Sequence, residues 1–137
     1  MIEYSNLVET LTQKQFQGFF VGWSKPPTSE KLLELLVNSP HRIIALDAET
    51  GSVVGFVYAI SDGVLSAYIP LIEVLPEYQH QGIGSELLRR ILERLSNYYM
   101  VDLCCDEELA AFYRRFGMTQ VAGMVRRNYS RQSGCDS

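Results

Sequence analysis

A chain of 137 residues with 47% hydrophobic and 20% charged residues holds enough apolar material for one core and too little length for two. Twelve Lys and Arg against sixteen Asp and Glu leave a net charge of −4, which argues against a polyanion-binding surface and against a nucleic-acid partner. The apolar runs are too short for a membrane span, and Met1–Ser5 lacks the basic start and apolar stretch of a signal peptide, so a cytoplasmic domain with no membrane partner is expected.

In chain order, residues 1–5 suit a short opening strand. Thr12-Gln13-Lys14-Gln15 has the form of a capping box, and Phe16, Phe19 and Phe20 predict a helix with one apolar side, broken between Gly22 and Pro27. A second helix starts at Thr28 or Ser29, carries Leu32, Leu33, Leu35, Leu36 and Val37, and stops at Asn38-Ser39-Pro40. From His41 the period changes. The runs 42–46, 53–60 and 64–74 are β-rich, and the turn signals Glu49-Thr50-Gly51 and Ser61-Asp62-Gly63 make them an antiparallel meander. The third run is apolar at Leu65, Ile69 and Leu71 and also at Tyr68, Ile72 and Val74, which predicts a central strand buried on both faces. Pro70 conflicts with that, and a bulge or local parting of strands resolves the conflict.

Residues 82–96 form the clearest amphipathic pattern, with Ile83, Leu87, Leu88, Ile91, Leu92 and Leu95 on one side. A strand over 98–104 completes a strand-helix-strand unit. Asp106 is placed to cap a helix bearing Leu109, Phe112, Tyr113 and Phe116, which Gly117 ends, and 119–129 reads as a last strand. The expected class is α+β, a mixed and mostly antiparallel sheet with one parallel pair. A single domain spans 1–130, and 131–137 is expected to be a flexible tail. Cys104 and Cys105 are expected in the core or at its shoulder. The three cysteines form no disulfide framework, neither histidine has a cysteine at zinc spacing, and no metal is expected.

The segment Val74-Leu75-Pro76-Glu77-Tyr78-Gln79-His80-Gln81-Gly82-Ile83-Gly84-Ser85 joins the third β run to the best helix. Glycines at a helix start let the backbone approach a ligand, and the unpaired N–H groups there favour phosphate oxygens. A dinucleotide fingerprint fails because Leu87 stands where its third glycine belongs. A Walker loop fails for want of a lysine, and no nucleophile elbow is present.

Gln79-x-x-Gly82-x-Gly84 resembles the Q/R-x-x-G-x-G/A signature of the GNAT (GCN5-related N-acetyltransferase) superfamily, and Val74-x-Pro76 resembles its approach to that loop. Phe112-Tyr113-Arg114-Arg115-Phe116-Gly117-Met118 is similar to its second hallmark, a helix ending in a tyrosine-containing turn. The order of elements agrees from residue 1 to about 129. The resemblance implies a fold whose central strand bulges and splays from its parallel neighbour, with acetyl-CoA as cosubstrate in the gap. It also implies that Gln79, His80, Gln81, Gly82, Ile83, Gly84 and Ser85 surround the pyrophosphate, and that the backbone of Ile72 and Val74 pairs with the pantetheine arm. Asp106 stands where many members have asparagine and is carried over as a cofactor contact. Tyr113 is implied as the general acid at the sulfur.

Glu73 is the one carboxylate in its apolar run, and burial would suit it to take a proton from an ammonium acceptor. Phe20 and Trp23 fall where the first two helices of this superfamily cover the acceptor, and they predict an apolar wall. The activity implied is N-acetyl transfer to a primary amine of a small molecule or peptide, by a monomer or homodimer. The alternative is a non-catalytic acyl-CoA-binding module that senses or scaffolds.

Overall fold

In the computed structural model, which describes residues 1–135, the β-rich runs form one five-stranded sheet in the order β1-β2-β3-β4-β5. The strands are β1 (Ile2–Ser5), β2 (His41–Asp47), β3 (Val53–Ser61), β4 (Ser66–Val74) and β5 (Met100–Leu103). Neighbours pair antiparallel except β4 and β5, which pair parallel. The expected α+β class and its single parallel pair are both present.

Side-chain alternation along β2 and β3 divides the core into two layers. Ile44, Phe56 and Tyr58 face helix α1 (Ser29–Asn38), which buries Leu32 and Leu36 one turn apart. Ile43, Ala45, Val57 and Ala59 face helix α2 (Ile83–Arg94), which buries Ile83, Leu87, Leu88 and Ile91. Helix α1 begins as expected at Thr28, whose hydroxyl accepts the Lys31 N–H at 3.1 Å.

The structure corrects the sequence reading in several places. The capping box at Thr12 is followed by a single 3₁₀ turn over Gln13–Gln15, although the Gln15 side chain does accept the Thr12 N–H at 2.9 Å. Left-handed backbone at Gly18, Phe20 and Gly22 replaces the expected helix and drops Phe16 and Phe20 into the α1 layer as loop residues. Tertiary burial of two aromatics outweighs local propensity here.

The central, doubly buried strand is β3, in which Val53 to Ala59 are all buried, whereas β4 is half-buried from Pro70 onward. The apolar pattern of β4 has another cause. Tyr58 pairs with Leu71 and Ile60 with Tyr68, so β4 carries one extra residue at Ile69–Pro70. That bulge reverses the phase: Ala67 and Ile69 face α2 before it, and Ile72 and Val74 face α2 after it. Leu71 then faces the α1 layer. The strand also starts late, because the Asp62 carboxylate accepts the N–H groups of Val64, Leu65 and Ser66 and prolongs the turn.

The third helix is a 3₁₀ turn over Glu107–Leu109 running into α3 (Ala110–Arg114). Asp106 precedes the turn but its side chain makes no cap bond. Leu109 is exposed, and Ala110 takes the buried place beside Tyr113. The strand expected over 119–129 is absent, and residues 119–128 are exposed throughout. Of the expected tail, Arg131 closes a 3₁₀ turn and the Gln132 side-chain oxygen Oε1 accepts the Ser24 hydroxyl at 3.3 Å and the Lys25 N–H at 2.9 Å. Residues 136–137 lie outside the described residues.

Candidate active site

Strand β4 leaves β5 at its bulge. Parallel pairing runs from Ser66↔Met100 to Ile69↔Leu103 and stops there. From Leu71 to Val74, β4 remains paired on one side with β3 and, among the described residues, has no strand on the other. The edge so exposed carries Ile72 and Val74 and leads directly into the loop before α2.

That loop turns through a 3₁₀ segment, Pro76–Tyr78, and then through left-handed backbone at His80 and Gly82. The Gln79 side-chain amide donates to the Val74 carbonyl at 3.1 Å and fixes the loop to the end of β4. Gly82 is required for its φ of 85°, a region that side chains with a Cβ rarely adopt. Gly84 is different. A Cβ there would meet only Val74 Cγ2, at 3.8 Å, so nothing inside the fold excludes a larger residue. A glycine without an internal reason, in the first turn of a helix with unsatisfied N–H groups, points to something that approaches from outside.

Tyr78 tethers the loop from behind, its hydroxyl donating to Asp47 Oδ2 at 2.6 Å. That bond, followed by the Glu49 N–H, holds the Asp47 carboxyl below its ordinary value. Stability contributed by ionised Asp47 is therefore complete above its unfolded value of about 3.9 and is lost as pH falls through the lower folded value. We expect Tyr78→Phe to move the Asp47 titration back up toward the ordinary value and to lessen that loss in acid. Carboxyl NMR reads the first change directly, and an unmoved Asp47 titration would remove the tether.

The bulge also decides where Glu73 points. It shares the α1 side of the sheet with Leu71, and its carboxylate accepts the Phe20 N–H on both oxygens, at 3.0 and 2.9 Å. A longer contact of 3.4 Å reaches the Val21 N–H. Burial pushes the Glu73 carboxyl above the usual range, against the opposing pull of those N–H groups. Glu73 thus fastens the left-handed turn at Phe20, a role that its sequence position does not reveal.

The Phe20 and Trp23 rings meet at a tilt of 53°, with centroids 4.8 Å apart. With Leu35, Tyr58 and Leu71 they wall a cleft of about 570 Å³, closed on one side by residues 131–134. Phe20 and Trp23 were legible in the sequence as wall candidates. Tyr58 and Leu71 were not: the bulge alone turns Leu71 toward the cleft, and Tyr58 reaches it from the paired position on β3.

Tyr113 lies on the opposite side of the sheet, buried in the α2 layer with Ile69, and Ile72 packs against the same cluster. Burial, with a smaller contribution from the Cys105 thiol, raises its phenol above the ordinary value. Among the described residues no group hydrogen-bonds its hydroxyl. Cys104 and Cys105, expected in the core or at its shoulder, are exposed where the strands part. The Tyr68 hydroxyl bonds the Cys104 side chain, which raises its phenol. No cluster of three or more His, Cys, Asp or Glu suited to a metal occurs among the described residues. None of their helices is long and apolar enough to cross a membrane.

Comparison with known proteins agrees with this geometry. A protein from Deinococcus radiodurans described as an acetyltransferase superposes with a TM-score of 0.94 at 42% identity, over 99% of this chain and 94% of that one. A GNAT-family acetyltransferase of Streptococcus pneumoniae superposes with a TM-score of 0.69 at 31% identity, over 93% and 97% of the two chains. The histone acetyltransferase TAP1 of Glycine max is 30% identical over 107 residues, covering 71% of this chain and 46% of its own length. An N-acetyltransferase of Porphyra purpurea, ycf52, is 28% identical over 102 residues, covering 71% and 58%. The chain therefore spans about half the length of these curated relatives. The family model for GNAT acetyltransferases matches residues 8–118. With the splayed β4–β5 pair, the glycine-bearing loop and that match, this chain belongs to the acetyltransferase (GNAT) family.

Proposed function

We propose that residues 1–130 form a single acetyl-CoA-dependent N-acetyltransferase domain that transfers an acetyl group to a primary amine of a small molecule or peptide. The observation that carries this reading is the opened edge of β4, which loses β5 after Ile69 and runs straight into the glycines before α2. In this reading the backbone of Ile72 and Val74 pairs with the pantetheine arm, as an added strand would. The N–H groups from Gln79 to Ser85 receive the pyrophosphate. Asp106, exposed and making no cap bond, is an additional cofactor contact.

The two side chains assigned to chemistry flank the gap from opposite faces of the sheet, Glu73 from the α1 side and Tyr113 from the α2 side. The acceptor enters by the aromatic cleft and gives a proton to Glu73. Oε1 of Glu73 keeps a lone pair beyond the one that receives the Phe20 N–H, while Oε2 also receives the Val21 N–H, so proton transfer to Oε1 does not require the turn to open. The amine nitrogen attacks the thioester carbonyl carbon, with a backbone N–H near Ile72 stabilising the developing oxyanion. As the C–N bond forms, the C–S bond breaks and its electron pair leaves on sulfur, which takes a proton from Tyr113, and the excess proton on the attacking nitrogen passes through water to restore the phenol. The cleft, with Trp23, Leu35 and Leu71 in its wall, supports an acceptor with an apolar or aromatic body beside its amine. A cytoplasmic location, without metal, nucleic acid or membrane, completes the reading.

The experiment is a thiol-release screen over an amine panel, with CoA binding measured by calorimetry on the same protein. CoA binding without thiol release from any amine would favour a sensor module. Gly84→Asp places a side chain and a negative charge where the phosphates should lie, and the space around Gly84 lets the fold tolerate it. At least tenfold weaker CoA binding is expected, about 1.4 kcal/mol or more. Unchanged affinity, with an intact circular dichroism spectrum, would dispose of the phosphate-loop reading.

A further inference from the structure

The tail that the sequence leaves free is folded back over the aromatic cleft. It is a run of turns, in which the N–H groups of Arg131, Gln132 and Gly134 donate to the carbonyls of Asn128, Tyr129 and Arg131 at 2.9, 3.1 and 2.9 Å. Gln132 and Ser133 are half-buried. The Gln132 side-chain oxygen accepts the Lys25 N–H at 2.9 Å and the Ser24 hydroxyl at 3.3 Å, which fixes the tail to the loop that carries Trp23. Further on the tail passes α1, where a Cβ on Gly134 would lie 3.8 Å from Lys31 Cδ.

Three walls of the cleft belong to the framework of the fold: Tyr58 and Leu71 on the sheet, Lys31 and Leu35 on one face of α1, and Phe20 and Trp23 on the loop. Residues 131–134 are the fourth. The first three alone bound a groove, which would suit a peptide that extends by about 3.3 Å per residue and needs clearance along its length. With the tail seated the space is about 570 Å³, inside the range of roughly 300–1,000 Å³ usual for small-molecule sites. Three aromatic rings and two leucines line it, so the body that fills it best is short and aromatic.

We propose that, given that this cleft receives the acceptor, the seated tail restricts it to a small primary amine on a short aromatic body and excludes peptides, and that Gln132 sets this limit by fastening the tail. Gln132 acts through the tail and is a positioning residue. Gln132→Glu keeps an oxygen able to accept both bonds, whereas Gln132→Ala keeps none. The two variants therefore separate the fastening from the mere presence of a side chain.

Trp23 is the one tryptophan of the chain, so its fluorescence reports what enters the cleft whether or not acetyl transfer follows. The probes are phenethylamine and a pentapeptide with a free N-terminal phenylalanine, each titrated onto the full chain. Wild type and Gln132→Glu should bind phenethylamine roughly tenfold or more tightly than the peptide, and Gln132→Ala should lose most of that preference. The Lys25 amide should exchange its hydrogen roughly tenfold faster in Gln132→Ala than in the other two proteins. Equal affinity of the wild type for the two probes overturns the proposal, as does phenethylamine that leaves the Trp23 signal unmoved. A preference or a Lys25 exchange rate untouched by Gln132→Ala also overturns it. Binding with the expected preference but without thiol release from acetyl-CoA counts against the transferase reading alone and upholds the size limit.

Discussion

Tyr113→Phe is expected to lower kcat by roughly 10²–10⁴-fold, the usual worth of a positioned general acid, while CoA affinity and melting temperature stay near wild type. The reasoning starts from what the substitution removes. The ring is buried in the α2 layer and Phe keeps it. Only the oxygen is lost, and no group among the described residues bonds it. A tyrosine serving the core through a buried hydrogen bond would cost about 1 kcal/mol when the bond is deleted. Tyr113 has no such bond to lose, so a structural role predicts almost no effect of any kind. The leaving thiolate has a conjugate acid near pH 8.5, and a phenol with an ordinary value near 10 can hydrogen-bond it or protonate it. Burial raises the phenol further, which keeps the proton in place until the sulfur develops charge. Normal turnover by the Phe variant on an identified amine would withdraw Tyr113 and leave water as the acid.

Glu73→Gln is expected to slow the reaction by a similar 10²–10⁴-fold and to abolish the acidic limb of the pH–rate profile. Because burial raises the Glu73 carboxyl, that limb in the wild type should lie above the ordinary glutamate value of about 4.3. The stability linkage has the same origin. A raised folded value means that the native state holds the proton more tightly, so the contribution is present below the unfolded value and is lost as pH rises through the folded one. Glu73→Gln removes that dependence. The substitution also leaves one acceptor oxygen where two now receive the Phe20 N–H, so the turn carrying Phe20 and Trp23 should loosen. The two roles separate in the kinetics. Loss of the base lowers kcat and erases the limb, whereas a loosened aromatic wall raises KM and leaves the limb in place. A preserved limb with kcat near wild type would make Glu73 a fastener of the turn and nothing more.

Local patterns carried much of this molecule. The α+β class, the meander, the clearest helix and the glycine-bearing loop could all be read from residue order, because amphipathic period, turn chemistry and helix-start glycines act over a few neighbours. Pro70 announced a disturbance in β4, and the disturbance is there. What the bulge does could not be read. By adding one residue it reverses which side chains face α1, turning Leu71 toward the cleft and Glu73 toward the Phe20 N–H, and an apolar run of both parities looks the same whether a strand is buried twice or shifted once. The loop after Thr12 was misread for a related reason: its aromatics are spaced for a helix, yet bonds from Glu73, fifty-three residues away, hold Phe20 in left-handed backbone. The residues after Gly117 have the composition of a strand and form none, although β5 ends the sheet with an unpaired edge, because a strand is made by pairing and not by composition. Sequence determined which segments prefer to extend or coil. Tertiary structure decided which of them found partners, since pairing, phase and burial depend on residues far apart in the chain.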